Sequence, residues 1–455
     1  MERRNNLHHP DTIVAQATPA GRGGVGIIRI SGADLSALAK NLTQRHLGEQ
    51  IKPRQAHLLT FCDAHGDAID QGVVLFFPAP NSFTGEEVLE LQGHGSPVVM
   101  RQLLARCVEL GARMARPGEF SERAFLNGRM DLAQAEAIAD LIDAATTSAA
   151  KSALRSLQGD FSRAIGELVA ELIALRTLTE ATLDFPDEEV DFLQAADAFA
   201  RLDAVVTKLD VVLARAKRGN LLRGGLHVVL IGQPNVGKSS LLNRLAGDEL
   251  AIVTAIAGTT RDALKSSIQI HGIPLHIIDT AGLRDTHDEV EKLGIERTWK
   301  EIERADIAVL LTDAQHGLQD ADQAILARLP AGMKCLTVVN KIDLTQTAPR
   351  REETATGVCL HLSAKQGLGI DLLEQELLTH AGWQDDEDVF IARERHLSAL
   401  GTARKHLEQA RQRVHQLELF AEEIRMAHRA LQEITGEYSP DDLLGEIFGS
   451  FCIGK

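Results

Sequence analysis

Eight consecutive residues, Gly232 to Ser239, could bind the phosphates of a nucleoside triphosphate. They read Gly-Gln-Pro-Asn-Val-Gly-Lys-Ser, and the apolar run Leu226–Ile231 comes directly before them. Glycines in this pattern let successive backbone N–H groups turn toward phosphate oxygens, while Lys238 supplies a positive charge and Ser239 a hydroxyl ligand for Mg²⁺. A helix that begins near Lys238 would add the positive end of its dipole. The segment therefore predicts a phosphate-binding loop between a strand and a helix.

Two later motifs predict which base the nucleotide carries. The motif Asn340-Lys341-Ile342-Asp343 follows one short apolar run, and Ser363-Ala364-Lys365 follows another. The carboxylate of Asp343 can accept hydrogen bonds from two N–H groups of guanine, whereas adenine offers no such pair. Each charge-assisted bond contributes about 1.5 to 3 kcal/mol, so the motif favours GTP over ATP. An ordinary polar strand end is the alternative, and the order of these motifs after the phosphate loop argues against it.

The residues that would complete the Mg²⁺ and γ-phosphate site lie between these motifs. Asp279 ends an apolar run, so we expect its carboxylate to bind Mg²⁺ through a water molecule. Thr260 is the expected second hydroxyl ligand beside Ser239, in a segment that would order on the γ-phosphate. The other residues expected to contact the nucleotide are Asn235, Val236, Gly237, Lys238, Ser240, Thr254, Ala255, Ile256, Ala257, Gly258, Thr259, Thr280, Ala281 and Gly282.

Catalysis needs groups other than the usual glutamine. Leu283 stands where Ras-like enzymes place the Gln that orients the attacking water. Glu291, in an acidic stretch nearby, could orient that water. Asn235, with backbone carbonyls of the switch segment, could bind a monovalent cation beside the β,γ-bridge, or it could simply stabilise the loop. The expected catalytic groups are Glu291, Lys238 and Asn235.

The composition limits the class of protein. The chain has 455 residues, and 44% of them are apolar, which is enough for several domains with cores. A net charge of −16 argues against broad attraction to nucleic acid, so any RNA contact must use local basic patches. The five cysteines lack metal-ligand spacing, which fits reduced thiols. Without an apolar stretch of membrane-spanning length or a signal-like N-terminus, the chain is expected to be cytoplasmic.

Sequence patterns predict a multidomain α/β and α fold. Residues 1–118 are rich in turns and short β-type runs, which indicates an α+β domain. Residues 119–220 and 381–455 have apolar residues at helical spacing, and residues 221–380 hold the nucleotide motifs. Because a G domain with neighbouring termini can be inserted into another domain, we expect one helical domain with a Ras-like P-loop GTPase domain inserted into it.

A second glycine-rich segment satisfies the dinucleotide fingerprint but is not expected to bind one. It reads Gly-Arg-Gly-Gly-Val-Gly from Gly21 to Gly26, and the β-branched run Ile27–Ile30 follows it. A dinucleotide loop needs a helix N-terminus at that point. The segment therefore predicts a turn or bulge beside a strand.

Five further segments are informative beside the nucleotide motifs: Ala17–Gly26, Asn81–Glu87, Ala115–Ser121, Asp184–Glu189 and Phe451–Lys455. With all these motifs in place, the chain resembles the tRNA-modifying GTPase family MnmE, also called TrmE, over nearly its full length. The resemblance implies a K⁺-stimulated GTPase that works with a flavin-dependent partner of the MnmG or GidA type. Together the two would form a heterotetramer and add an aminomethyl or carboxymethylaminomethyl group to carbon 5 of the wobble uridine in certain tRNAs.

The resemblance also implies a cofactor in the N-terminal domain. That domain would resemble folate-binding aminomethyltransferases, form a homodimer and hold 5-formyl- or methylene-tetrahydrofolate. The residues that match its folate contacts are Arg29, Glu90, Arg129 and Lys455. Arg129 stands where close relatives can carry Lys, which keeps the charge but changes the donor geometry.

The resemblance assigns further roles by motif position. The K⁺ ligands would be Asn235 with Thr254, Ile256 and Thr259, and Glu291 would organise the attacking water. Cys452 lies on a glycine-flanked tail near the proposed folate site. No base for its thiol is evident, so a packing or orienting role is favoured over a nucleophilic one.

Two other functions remain open at this point. One is a GTP-driven RNA-binding switch of the ribosome-assembly type, in which the N-terminal domain only docks. The other is a one-carbon-transfer enzyme that the G domain regulates. A chain that binds no folate would favour the RNA-binding switch over the tRNA-modifying GTPase and the one-carbon-transfer enzyme.

Overall fold

A computed structural model describes residues 11–184, 198–246, 266–279, 302–303, 305–330, 332–354, 357–383, 389–437, 441–451 and 454. The chain divides into two compact units. One contains Met1–Ala139, Leu157–Val190 and Gln409–Lys455, and the other contains Asp140–Ser156 and Asp191–Glu408. The expected boundaries of four sequence segments at 118, 220 and 380 stay a prediction.

The first unit contains a six-stranded sheet in the order β3-β4-β5-β2-β1-β6. All neighbours are antiparallel except β1 and β6. Its strands are β1 Ile13–Gln16, β2 Gly23–Gly32, β3 His57–Cys62, β4 Ala68–Phe77, β5 Glu87–Gly95 and β6 Arg113–Met114.

One face of this sheet packs on helices α1 and α2, which span Ser36–Thr43 and Pro97–Glu109. Alternate strand residues such as Ile28, Ile30 and Leu91 are buried between them, as the two-residue period of a strand requires. Strand β2 begins inside the glycine-rich segment, which confirms that this segment is not a dinucleotide loop. The α+β character expected of residues 1–118 is therefore present in the described part.

The second unit contains a seven-stranded sheet in the order β12-β13-β11-β10-β7-β9-β8. Its central strands are parallel, and the pairs β8–β9 and β12–β13 are antiparallel. The strands are β7 Leu226–Ile231, β8 Ser266–Ile270, β9 Ile273–Asp279, β10 Ile307–Asp313, β11 Lys334–Asn340, β12 Arg350–Thr354 and β13 Gly357–His361.

The composition of the strands explains this sheet. Strands β7 and β10 are apolar and buried along nearly their whole length, as parallel strands covered on both faces must be. Strand β12 is charged and fully exposed, which suits an edge. A parallel sheet with a phosphate loop after its central strand β7 confirms the expected Ras-like fold.

The helical segments are more interrupted than the sequence indicates. The proline-free stretch beyond residue 119 forms separate helices, because the chain turns at positive φ at Gly128 and Gly159, with φ values of 67° and 90°. The C-terminal stretch likewise forms two helices with a break at residues 413–416. The remaining described helices are α3 Glu119–Leu126, α4 Leu132–Asp143, α5 Thr147–Leu157, α6 Asp160–Asp184, α7 Ala198–Gly224, α8 Lys238–Ala246, α9 Asp320–Leu326, α10 Ile342–Thr345, α11 Ile370–His380, α12 Glu394–Gln412, α13 Leu417–Thr435 and α14 Asp441–Gly449.

Helices from before and after the nucleotide motifs pack in pairs. In the first unit α6 packs along α13, and Leu168, Leu172 and Leu175 are buried at helical spacing. In the second unit Arg404 binds Asp210 of α7 at 2.7 Å. Helices from the segments before and after the nucleotide motifs therefore contact each other within each unit.

Among the helices of the described ranges, none is both long enough and apolar enough to cross a membrane.

Candidate nucleotide site

The phosphate loop has the strand-to-helix setting that its sequence predicts. It connects Ile231 at the end of β7 to Lys238 at the start of α8. Gly232 and Gly237 have φ values of 137° and 102°, in the region that disfavours side chains. A Cβ at Gly232 would also collide with the carbonyl oxygen of Leu311 on β10. The loop conformation therefore depends on both glycines.

Two side chains of this loop are placed to act on phosphates. The Nζ of Lys238 donates to the carbonyl oxygens of Gly232 and Gln233 at 2.6 and 3.0 Å, which holds its charge over the loop. Asn235 has a φ of 64°, which asparagine tolerates better than most residues, and its side chain is exposed. Ser239 and Ser240 are exposed at the first turn of α8. The loop thus presents a cation, an amide and hydroxyls on one edge of the sheet.

The side chain of Asn340 joins the phosphate loop to the predicted base-binding loop. Its Nδ2 donates to the carbonyl oxygen of Val236 at 2.8 Å, and its Oδ1 accepts from the backbone N–H of Ala364 at 2.9 Å. The residue is only 2% exposed. A Cβ at Gly237 would collide with this Nδ2. One amide group therefore fixes the backbone at Val236, 104 positions before Asn340, and at Ala364, 24 positions after it.

Asp343 lies where a carboxylate could receive a base. It stands in the first turn of the short helix α10, after Lys341, whose φ of 67° turns the chain away from β11. The hydroxyl of Ser363 donates to Asp343 Oδ1 at 2.6 Å and itself accepts from the N–H of Gln366 at 3.2 Å. This hydroxyl fixes the orientation of the carboxylate. The structure thus brings together Asn340, Asp343, Ser363 and Ala364, as the motifs predict.

Two residues that support this site were not predicted. Asp313, at the end of β10, accepts from Lys341 Nζ at 2.7 Å. Burial alone would raise the pKa of Asp313, but the hydrogen bond and charge of Lys341 and a backbone hydrogen bond from Gln315 outweigh burial and lower it. Arg244 of α8 donates to the carbonyl oxygens of Ala364 and Lys365 at 3.2 and 2.8 Å. A carboxylate at a strand end was the one available signal for Asp313, and Arg244 gave none.

Several predicted nucleotide contacts lie outside the described residues. Asp279 ends β9, and its backbone pairs with Leu230 of β7, so the strand end is placed beside the phosphate loop. Its side chain is not among those described. The other contacts outside the described residues are Thr254, Ala255, Ile256, Ala257, Gly258, Thr259, Thr260, Thr280, Ala281, Gly282 and Glu291.

The residues expected to contact folate lie in the first unit. Arg29 and Glu90 pair across β2 and β5, and Arg29 Nη2 and Nε both lie 2.9 Å from Glu90 Oε1. The Arg29 guanidinium also lies 5.5 and 5.9 Å from the ring centroids of Phe83 and Phe120. Both distances suit cation–π attraction. Arg29 is therefore held by one carboxylate and two rings.

The other expected folate residues are less fully described. Arg129 is exposed, and its aliphatic carbons lie beside Gly85 of the loop that precedes β5. Lys455 and Cys452 are outside the described residues. Gly454, between them, lies against the carbonyl oxygen of Gln16 at the end of β1. Gln16 pairs with Ile28, the neighbour of Arg29 in β2, so Gly454 lies beside this part of the sheet.

Comparisons with known proteins cover nearly the whole chain. A family model described as the MnmE helical domain matches residues 132–452, and one described as the N-terminus of the GTP-binding protein TrmE matches residues 12–129. The tRNA modification GTPase MnmE of Dechloromonas aromatica is 65% identical over 449 residues, which cover 98% of this chain and 99% of that protein. The protein of the same name from Thiobacillus denitrificans is 60% identical over 447 residues, 98% of each chain.

Among solved structures, the G domain of the T. maritima FeoB iron transporter aligns with 34% of this chain and 98% of its own length, at 22% identity and a TM-score of 0.27. The full-length relatives carry the name of tRNA modification GTPases. These names favour tRNA modification over the ribosome-assembly alternative.

The geometry at Asp343 makes a prediction about nucleotide choice. In Asp343→Asn the amide can donate where the carboxylate accepts, so GTP should bind at least about a hundredfold more weakly and xanthosine triphosphate should bind better. Calorimetric titration with both nucleotides measures this exchange. Asp371→Asn, an exposed change on α11, is the matched control and should leave both affinities unaltered. An Asp343→Asn protein that still prefers GTP would refute the assignment of the base-binding carboxylate.

Proposed function

The chain belongs to the MnmE family of tRNA modification GTPases, and from that premise we propose how it acts. It hydrolyses GTP with K⁺ as the stimulating cation, together with a flavin-dependent partner of the MnmG or GidA type. The pair adds an aminomethyl or carboxymethylaminomethyl group to carbon 5 of the wobble uridine of certain tRNAs. A tetrahydrofolate derivative supplies the carbon. The observation that carries the nucleotide part is the Asn340 bridge between the two nucleotide loops.

The described residues are suited to GTP. Asp343, oriented by Ser363, accepts the two guanine N–H groups, and Lys238 supports the β- and γ-phosphates from inside the loop. Mg²⁺ would be held by Ser239 and Thr260 directly and by Asp279 through water. When bound, it neutralises charge on the β- and γ-phosphate oxygens. The exposed hydroxyl of Ser239, next to Lys238, fits that role.

Water attack and charge stabilisation need two further groups. Glu291 orients the attacking water, since Leu283 has no polar group to do so. Asn235 is a K⁺ ligand together with Thr254, Ile256 and Thr259. The left-handed backbone of Asn235 and its exposure support this assignment, because an exposed amide can be reached by a cation from solvent. A cation there supplies the positive charge that other GTPases take from an arginine finger.

The first unit is suited to a folate donor. The carboxylate of Glu90 can accept from pterin N–H groups, and the charges of Arg29, Arg129 and Lys455 can bind the glutamate tail. Arg29 and Glu90 are partly exposed, at 25% and 14% of their side-chain surfaces, so both can be reached from solvent. Cys452 acts as a packing or orienting thiol on the adjacent tail.

The same sheet supports a homodimer. The face away from the core carries Leu58, Val73 and Ile27 in register across the strands, with Gln92 among them. Leu58 is 67% exposed, and Val25 at the same sheet is 58% exposed. Exposed apolar side chains on a sheet face mark a surface that a second subunit can cover. The dimer would then join the flavin-dependent partner in the heterotetramer.

The modification itself gives the direct test of this function. We expect tRNA from cells that lack the chain to have lost the aminomethyl-type group on the wobble uridine, as measured by mass spectrometry of digested nucleosides. Restoring the chain should restore the group, and an unrelated modified uridine in the same tRNAs serves as the internal control. Wobble uridines that stay fully modified without the chain would remove the proposal.

The cation assignment predicts a salt effect on hydrolysis. GTP turnover should be at least about tenfold faster in K⁺ than in Na⁺, because the smaller ion fits the same oxygen ligands less well and a misplaced charge stabilises less. Asn235→Ala should lose that difference, whereas Asn243→Ala, an exposed change on α8, should keep it. Phosphate release in the two salts is the measurement, and equal rates for the unaltered chain would contradict the assignment.

A further inference from the structure

A buried cluster of charges lies beneath the candidate folate site. Arg123 of α3 has no exposed surface, and its carboxylate neighbours Glu119 and Glu86 are 1% and 9% exposed. Arg123 Nη1 donates to both oxygens of Glu86 at 3.1 Å, and Nη2 donates to Glu119 Oε1 at 3.2 Å. Its two nitrogens also reach the backbone carbonyl and side chain of Asp11, at 3.0 and 2.9 Å. Arg113 closes the cluster through Asp11 and Glu119.

This cluster fixes two pieces of chain that are far apart in sequence. Glu86 ends the loop 81–86 before β5, and it also accepts from Ser31 of β2 at 2.7 Å. Glu119 begins α3, where its carboxylate accepts from the N–H of Arg116 at 2.7 Å. Burial alone would raise the pKa of Glu119, but the Arg113 and Arg123 bonds and the backbone bond lower it to about 2. The carboxylate therefore stays charged and tied to both guanidiniums at neutral pH.

The two rings that hold Arg29 are adjacent to these charged residues. Phe83 lies in the 81–86 loop, next to Thr84, whose hydroxyl is 2.7 Å from Ser31 Oγ. Phe120 directly follows Glu119 in α3. Whatever keeps the loop against α3 thus also keeps the two rings beside the Arg29 guanidinium. A long arginine side chain that is already ordered loses less rotamer freedom when a ligand binds.

We propose that Arg123 is a positioning residue of the folate site, which ties the 81–86 loop to α3 and so holds Phe83 and Phe120 against Arg29. The inference rests on the proposed folate function. Arg123 does not touch the donor itself. It acts through the two rings, and its planar fork is required because three carboxylates on three different segments must be bound at once.

The test compares donor affinity in conservative variants of the full chain. Arg123→Lys keeps the charge but loses the fork, so the affinity for 5-formyltetrahydrofolate should fall by about tenfold or more by calorimetric titration. The GTP hydrolysis rate should be unchanged, since the nucleotide motifs lie in the other unit. Arg163→Lys on α6 is the matched control: its side chain is 66% exposed and pairs with Asp160, and its donor affinity should equal that of the unaltered chain.

Glu86→Gln provides a second variant in case Arg123→Lys does not fold. It leaves two guanidiniums, Arg113 and Arg123, opposite two carboxylates, Asp11 and Glu119, so the charges of the cluster balance while the loop loses its ion pair with Arg123. Its donor affinity should also fall by about tenfold. Its melting temperature shows whether the variant is folded.

A double substitution separates positioning from general destabilisation. Phe83→Leu removes one ring, so adding Arg123→Lys or Glu86→Gln to it should weaken binding by less than about twofold. Equal losses with and without Phe83 would overturn the inference, as would unchanged affinity in both single variants. An unaltered chain that binds no folate would instead remove the folate function itself, and the inference with it.

Discussion

The amide of Asn340 is the constraint on which the nucleotide site depends. It is buried at a strand end, where an unpaired amide would be costly, and both of its polar atoms are satisfied by backbone groups of different loops. The strand β11 is held in the centre of a parallel sheet, so the amide has a fixed position. Through it the core of the sheet determines where phosphate and base are bound relative to each other.

The neighbouring features follow from that position. Gly237 must lack a side chain because the Asn340 amide occupies the space. Lys341 must turn at positive φ to send Asp343 toward Ser363, and its own amine is taken up by Asp313. Arg244 lies on α8, the helix that follows the phosphate loop, and donates to two backbone carbonyls of the base-binding loop. Phosphate binding and base selection therefore share one set of contacts.

In the first unit a buried guanidinium, in place of an amide, joins separate segments of the chain. Arg123 is fully buried, and its partners come from the start of the chain, a loop and its own helix. Burying such charges costs free energy, which these ion pairs offset, although the Nε of Arg123 has no hydrogen-bond partner. In return the arrangement fixes loop geometry, and the Arg29–Glu90 pair stands beside it. In both units a buried polar side chain joins segments that carry binding residues.

Local sequence patterns predicted the strands and the phosphate loop. They did not predict contacts between residues that are far apart in the sequence. The apolar runs of β7 and β10 and the phosphate-loop motif are readable because period and turn chemistry are local. The breaks at Gly128 and Gly159 were missed because one glycine within a helical pattern can be either tolerated or a terminus. Arg123 pairs with Asp11 across 112 positions, a contact that no local pattern encodes. Arg244 was missed for the same reason, whereas Asp313 offered a local signal, a carboxylate at a strand end, that was not used.

Nucleotide affinity of an Asn340→Asp protein tests the central claim most directly. The carboxylate has nearly the same shape but cannot donate to the Val236 carbonyl, which would be left buried beside a negative charge. The account predicts that a fluorescent GDP analogue binds at least about a hundredfold more weakly than to the unaltered chain, because a buried acceptor loses its partner. Affinities within about twofold of each other would contradict the claim that this amide holds the two loops together.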